Sequence, residues 1–146
     1  MTPNRVALFG CELVRSFRLG VMMNKLLLTG LAGACGTLVR YWMSGWFAKR
    51  VGETFPVGTL AVNVTGCFLI GFLFYVMSER FLTGDTLRTV LFIGFLGGFT
   101  TFSSFGLQTF TLMRDGEFGL AALNVGVSNF AGLLMVWAGY TLAKVL

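Results

Sequence analysis

Between Gly94 and Gly106 the chain reads Gly-Phe-Leu-Gly-Gly-Phe-Thr-Thr-Phe-Ser-Ser-Phe-Gly. A Gly-Gly pair followed by Thr-Thr inside an apolar run is poor helix sequence, since both residue types disfavour the helix interior. The pattern predicts a helix broken near Gly97-Gly98. Carbonyls freed at such a break are tolerated at membrane depth only where they line a cavity or bind something. A site built from carbonyls alone favours a cation such as Na⁺ or K⁺. After the break, Phe99, Phe102 and Phe105 recur every three residues, which places them near one helical face. Ser103, Ser104, Gln108 and Thr111 supply a polar counterpart. Phenyl edges carry partial positive charge, and hydroxyls can replace part of an anion's water shell. This set suits the passage of an anion, against the plainer alternative of a phenylalanine stripe facing lipid or core.

Two further polar residues interrupt apolar runs. Asn63 lies in Gly58-Thr59-Leu60-Ala61-Val62-Asn63-Val64-Thr65-Gly66. An amide in hydrocarbon must find partners. It either stitches helices together or offers its NH₂ donors to a passing anion. Arg40 lies about 10 Å inside the end of its run, taking about 1.5 Å per helical residue. It either snorkels to the nearby interface or draws anions into a vestibule. On the fourth run, Asn124, Ser128 and Asn129 either pack or line a path, and the sequence leaves both open.

What is missing narrows the chemistry. The chain has no His, and its three cysteines, Cys11, Cys35 and Cys67, form no CxxC pair. A zinc or haem centre of the usual kind is therefore not expected. Cys35 and Cys67 sit among apolar neighbours, where cysteine serves as a small packing residue. No Ser-His or Cys-His couple is present for nucleophilic catalysis. All six acidic residues, Glu12, Glu53, Glu79, Asp85, Asp115 and Glu117, lie outside the apolar runs. A proton-driven pump or antiporter normally carries its proton on an intramembrane acid or His. Both an enzyme and a proton-coupled transporter are disfavoured.

The elements that hold these residues follow from composition. The chain has 146 residues, of which 55% are hydrophobic and 12% charged. Soluble domains carry about 25% charged residues, and this much apolar surface cannot all be buried at such a length. Disorder is excluded for the same reason. A bilayer core of about 30 Å needs about 20 apolar residues per helix. Four such windows occur: Leu26 to Phe47, Val57 to Met77, Val90 to Met113 and Leu120 to Leu142. Continuous runs, rather than ten-residue alternating ones, exclude a barrel. The Trp and Tyr residues (Tyr41, Trp42, Trp46, Tyr75, Trp137, Tyr140) all fall toward the C-terminal ends of windows, as an interfacial belt requires. The expectation is one all-α, four-helix integral membrane domain over residues 22–146.

Residues 1–21 stand apart. They carry Arg5, Arg15 and Arg18 and no signal-peptide core, and a second possible start lies at Met22-Met23. The segment is either a misassigned start or a short amphipathic arm on the membrane surface. From Met22 onward, Lys25, Arg80, Arg88 and Lys144 share one side of the membrane, and Lys49, Arg50 and Arg114 share the other. Orientation follows the Lys/Arg excess, and from Met22 onward four against three is almost no bias, so such a chain could insert both ways up; Arg5, Arg15 and Arg18 of residues 1–21 would make it seven against three. The net charge of +5 is dispersed over loops and ends, which gives no basis for nucleic-acid binding.

Taken together, the residues resemble the Fluc (CrcB-type) family of fluoride channels. Gly30-Leu31-Ala32-Gly33-Ala34 with Val39-Arg40-Tyr41, the Gly58-Thr59-Leu60-Ala61-Val62-Asn63 stretch with Gly66, and Gly94 through Phe105 carry the resemblance, which spans about Asn24 to Leu146. The resemblance implies a dual-topology antiparallel homodimer with two pores, embedded in the bacterial plasma membrane and exporting fluoride passively to relieve its toxicity. It implies a structural Na⁺ at the dimer centre, held by the backbone carbonyls of Gly97 and Thr100. It further implies a fluoride pathway through Asn63, Phe102, Phe105, Ser103 and Ser104, with Arg40 in the vestibule. One position departs from the family pattern: Ser104 stands where threonine is commoner, and the hydroxyl remains. Two other readings stay open. A non-transporting membrane scaffold would explain the small residues but not the Phe/hydroxyl ladder, and a small multidrug-type antiporter would need the membrane-embedded acid this chain lacks.

Overall fold

A backbone in lipid must satisfy its own hydrogen bonds, and apolar runs of this length do so as helices. The computed structural model is helical, with no strand among the described residues. It describes residues 5–52 and 54–146, with side-chain surroundings from residue 18 onward. Four helical spans are long and apolar enough to cross a membrane: Arg18–Val51, Val57–Arg80, Asp85–Arg114 and Phe118–Val145. Each contains one of the windows expected from the sequence.

Helix α1 runs from Arg5 to Val51, 47 residues without interruption. At about 1.5 Å per residue it is about 70 Å long. Its backbone shows no break at residues 21–22, where the sequence divides the extension from the membrane domain. The start-site reading itself falls largely outside the described residues: 1–4 are not described, and for 5–17 only the backbone is. Gly52 ends the helix at φ 98°, its amide bonded back to the Ala48 carbonyl at 3.0 Å. Only glycine takes that left-handed conformation cheaply. Helix α2, Val57–Tyr75, starts after Pro56, whose missing N–H costs nothing at a helix start. It continues through a wider π turn, Val76–Arg80.

The third span is two helices. Residues 85–99 form α3, wound in the π register over Thr89–Leu96 and regular again over Gly97–Phe99. Thr100 (φ −82°, ψ 157°) and Thr101 (φ −148°, ψ 114°) are extended. Helix α4 then runs Phe102–Arg114, and α5 runs Phe118–Val145. The break expected near Gly97-Gly98 thus falls just beyond the pair, at the two threonines. The glycines have another task. A Cβ on Gly98 would collide with the Gly33 carbonyl, so Gly98 lets α3 lie directly on α1. The break also separates Phe99 from Phe102. Phe99 is buried with Val62 and Leu96 and stacks on Phe95 at 6.1 Å. The three-residue periodicity therefore joins only Phe102 and Phe105 on one helix, and Phe99 is core.

Alternating spans make α1 parallel to α3 and α2 parallel to α5, and both pairs pack through glycine. Gly94 meets Thr29 and Gly98 meets Gly33. Gly132 lies beside Cys67, Gly71 beside Val136, and the Tyr75 and Tyr140 rings meet edge-on at 5.4 Å. Without a hydrophobic drive between helices in lipid, such close backbone contact supplies the packing energy.

This packing gives a direct test. A Cβ at Gly139 would overlap the Phe68 carbonyl, whereas one at Gly119, on the same helix, meets nothing within 4 Å. Gly139→Ala should destabilise the purified protein by about 1–3 kcal/mol, the usual penalty of overpacking. Gly119→Ala should leave its melting temperature unchanged or slightly raised. Equal melting of the two variants would refute the packed α2–α5 contact.

Candidate ion pathway

The break sits between two cavities. The first, about 340 Å³, is lined by Asn63 of α2, Gly97 and Thr100 at the end of α3, and Phe102 and Phe105 of α4. The second, about 370 Å³, is lined by Arg40, Thr37 and Ser44 of α1 with Ser104 of α4. Thr101 lines both and forms the partition between them. The sequence-expected set is therefore divided. Asn63, Phe102, Phe105, Gly97 and Thr100 share one chamber, Arg40 and Ser104 share the other, and Ser103 lines neither.

Asn63 holds the partition in place. Its Nδ2 donates to the Thr101 carbonyl at 3.0 Å, and its Oδ1 accepts from the Thr101 amide at 2.8 Å. The Asn63 amide thus replaces the acceptor that the Thr101 N–H loses by leaving α3, and adds a second donor to the Thr101 carbonyl, which as N-cap already opens the hydrogen bonding of α4. Asn63 stitches α2 to the break and also lines the first cavity. Thr101 caps α4: its Oγ1 accepts from the Ser104 amide at 3.2 Å and donates to the Ser104 Oγ at 3.0 Å. Ser103 Oγ lies 3.3 Å from the same hydroxyl. The two serines and Thr101 form one hydroxyl cluster at the start of α4.

These bonds free two carbonyls. In an unbroken helix the Gly97 carbonyl would accept from the Thr101 amide, and the Thr100 carbonyl from the Ser104 amide. The first amide goes to Asn63 and the second to the Thr101 hydroxyl. Gly97 and Thr100, the residues expected to hold Na⁺, both line the first cavity. Their hard oxygen donors fit a small cation, as unwound carbonyls do elsewhere, and two oxygens per chain are too few to enclose one. Among the described residues no cluster of His, Cys, Asp or Glu could hold a metal. Gly98 is served differently, its carbonyl receiving the Thr37 hydroxyl at 3.5 Å.

The electrostatics follow from the helix ends. The carbonyl end of α3 is negative and the amide end of α4 positive, and the two meet at Thr100-Thr101. Arg40 is half-buried and has no acidic partner among the described residues. No carboxylate lines either cavity. The Phe102 and Phe105 rings lie 5.5 Å apart, tilted by 44°. Phe105 is half-buried, while Phe102 is 83% exposed in the single chain.

The fourth-run polar residues that the sequence left open now separate. Asn124 is buried, its Nδ2 donating to Thr109 Oγ1 at 2.8 Å, and Thr109 in turn donates to the Phe105 carbonyl at 2.8 Å. It packs α5 against α4. Ser128 and Asn129 line the first cavity, as does Cys67. The spacing of Asn124 and Ser128 on one helical face was the available signal. Which of them reaches a cavity depends on tertiary contacts that spacing does not carry. Cys35 is exposed on α1 rather than packed.

Comparison with known proteins matches residues 27–140 to the family described as CrcB-like protein, Camphor Resistance (CrcB). Among curated relatives, the chain is 44% identical to the fluoride-specific ion channel FluC of Geotalea daltonii, over 84% of this chain and 98% of that one. It is 48% identical to the protein of the same name from Opitutus terrae, over 83% of this chain and 93% of the relative. The Geobacter metallireducens protein, also named fluoride-specific ion channel FluC, is 48% identical over 78% and 92%.

The clamp on Thr101 is testable apart from any transport assay. Asn63→Leu orphans the Thr101 N–H, worth about 1–3 kcal/mol when left unpaired. The variant should melt several degrees lower, and the Thr101 and Ser104 amides should exchange faster with solvent deuterium. Unchanged exchange at those two amides would show that Asn63 does not hold the break.

Proposed function

Since the chain belongs to the CrcB-like family, we propose that it works as a fluoride-selective passive channel, releasing cytoplasmic fluoride down its electrochemical gradient. It is a multi-pass membrane protein and not an enzyme. The observation that carries the mechanism is the break at Thr100-Thr101, set at membrane depth between two cavities whose walls offer donors and no carboxylate.

Fluoride is small and holds its water tightly, so a pathway must replace that water with hydrogen-bond donors. Arg40 concentrates the anion in the second cavity, and the Ser104 hydroxyl meets it there. Ser103 supplies a further hydroxyl beside Thr101. In the first cavity the free N–H of Asn63 and the ring edges of Phe102 and Phe105 take over. The positive end of α4 favours the anion beside its first turn.

The functional unit is an antiparallel homodimer with two pathways. Phe102 projects from the single chain, and a second copy would cover it and close the first cavity. The near-balanced loop charges permit both orientations. The Gly97 and Thr100 carbonyls of two copies would supply four oxygens for a central Na⁺, which when bound offsets the negative ends of two α3 helices. The protein's own contribution is to free those carbonyls through Asn63 and Thr101.

The primary test uses proteoliposomes loaded with fluoride and chloride, read with ion-specific electrodes. Fluoride should leave rapidly while chloride stays. Phe102→Ile and Phe105→Ile should each slow fluoride release at least tenfold with the dimer intact, and Asn63→Asp should suppress it by placing a negative charge at the partition. Wild-type release from both phenylalanine variants would sink the pathway assignment. Separately, exchanging Na⁺ for N-methylglucamine should lower both the dimer's melting temperature and fluoride flux. Indifference of both to Na⁺ would remove the ion from the proposal.

A further inference from the structure

We propose that Asn129 is a pathway residue, donating a hydrogen bond to the anion from the α5 side of the first cavity while Asn63 serves it from α2. This rests on the channel reading and adds a specific ligand to it.

Asn129 is the twelfth residue of α5, about 16 Å along the helix at about 1.5 Å per residue. That places it near the middle of a bilayer core of about 30 Å. It is exposed there, between Val125 and Leu133, which are also exposed. An asparagine offers two donors and a carbonyl acceptor. Only one bond is made: Nδ2 donates to the Val125 carbonyl at 2.7 Å, within the same helix. One N–H and the Oδ1 are left without a partner among the described residues. Unsatisfied polar groups at this depth cost several kcal/mol, so an amide held here needs water, an ion or another chain. The residue lines the cavity that also holds Asn63, Thr100, Phe102 and Phe105.

Its neighbours on α5 serve differently. Asn124 is 2% exposed and spends its amide on Thr109 and Ser128. Ser128 turns its hydroxyl toward Asn124 at 3.5 Å. Asn129 alone among the three keeps an uncommitted donor on a helix face open to the cavity. Two amides from different helices, with phenyl edges beside them, form a donor set that can replace several waters at once.

The competing role is adhesion, in which Asn129 bonds to a second copy and touches no ion. The two roles are separated by measuring fluoride efflux per dimer together with the dimer fraction, for wild type, Asn129→Leu, Asn129→Asp and Asn129→Ser. A pathway role predicts unchanged dimer fraction in all three. Efflux should fall three- to tenfold in the Leu variant, fall more than tenfold in the Asp variant, whose charge repels the anion, and stay within threefold of wild type in the Ser variant, which keeps a donor. Efflux per dimer within twofold of wild type in both Leu and Asp variants overturns the proposal. So does a loss of flux that tracks a loss of dimer. A wild type that releases no fluoride overturns the channel reading and this inference with it, whereas a conducting wild type with unaffected variants overturns the role of Asn129 alone.

Discussion

A backbone that leaves the helix inside a membrane must find new partners for its N–H and C=O groups, and in this protein one side chain supplies them. Asn63 bonds both polar groups of Thr101. Without Asn63 the Thr101 amide would be orphaned at this depth, and the cost would favour one continuous helix. The Asn63 amide has the donor and acceptor spacing of a peptide group, so it stands in for the lost helical turn. The cavities, the freed carbonyls and the α4 N-terminus all exist because this substitution is stable. The hydroxyl of Thr101 completes the exchange by taking the Ser104 amide.

The clamp works only if α2, α3 and α4 are held at fixed separations, and glycine packing does this. Gly98 on Gly33 and Gly94 on Thr29 seat α3 against α1, while Gly71 and Gly139 seat α2 against α5. Gly66 lies directly against Thr100, so that even a methyl at that position would push on the break. The contacts of Gly98, Gly94, Gly71 and Gly139 are with backbone rather than flexible side chains, and they cannot yield by rotamer change. The Phe99, Leu96 and Val62 core lies next to the same junction and fixes the end of α3. Rigid positioning matters for an ion whose donors must sit at hydrogen-bond distance without time to reorganise.

The sequence made the spans legible, because a run of twenty apolar residues has few alternatives in any solvent. It also placed Phe102 and Phe105 correctly beside a break. The break expected near Gly97-Gly98 lies there to within a few residues, and the offset to Thr100-Thr101 is instructive. Glycine lowers helix propensity and also permits close approach, and the local sequence does not say which property is in use. Here the second one is, since Gly98 lies on Gly33. Phe99 was drawn into the stripe by spacing that the break invalidates. The division of the site into two cavities was invisible as well, since it depends on Thr101 lying between helices distant in sequence. The hold of Asn63 on Thr101 needed the partner's position, 38 residues away.

The wall chemistry carries a consequence for how the pathway responds to its surroundings. Neither cavity contains a carboxylate or an imidazole. The one formal charge on these walls is that of Arg40. The remaining attraction comes from backbone dipoles, amides, hydroxyls and ring edges, none of which changes charge with pH. Such a wall cannot couple anion movement to a proton, which is why a passive mechanism follows from it and an exchange mechanism does not. It also has no carboxylate or imidazole with which to gate itself. Control of flux then rests with the gradient of the ion and with the state of protonation of fluoride in the adjoining solutions, and the protein's part is reduced to holding one broken helix open.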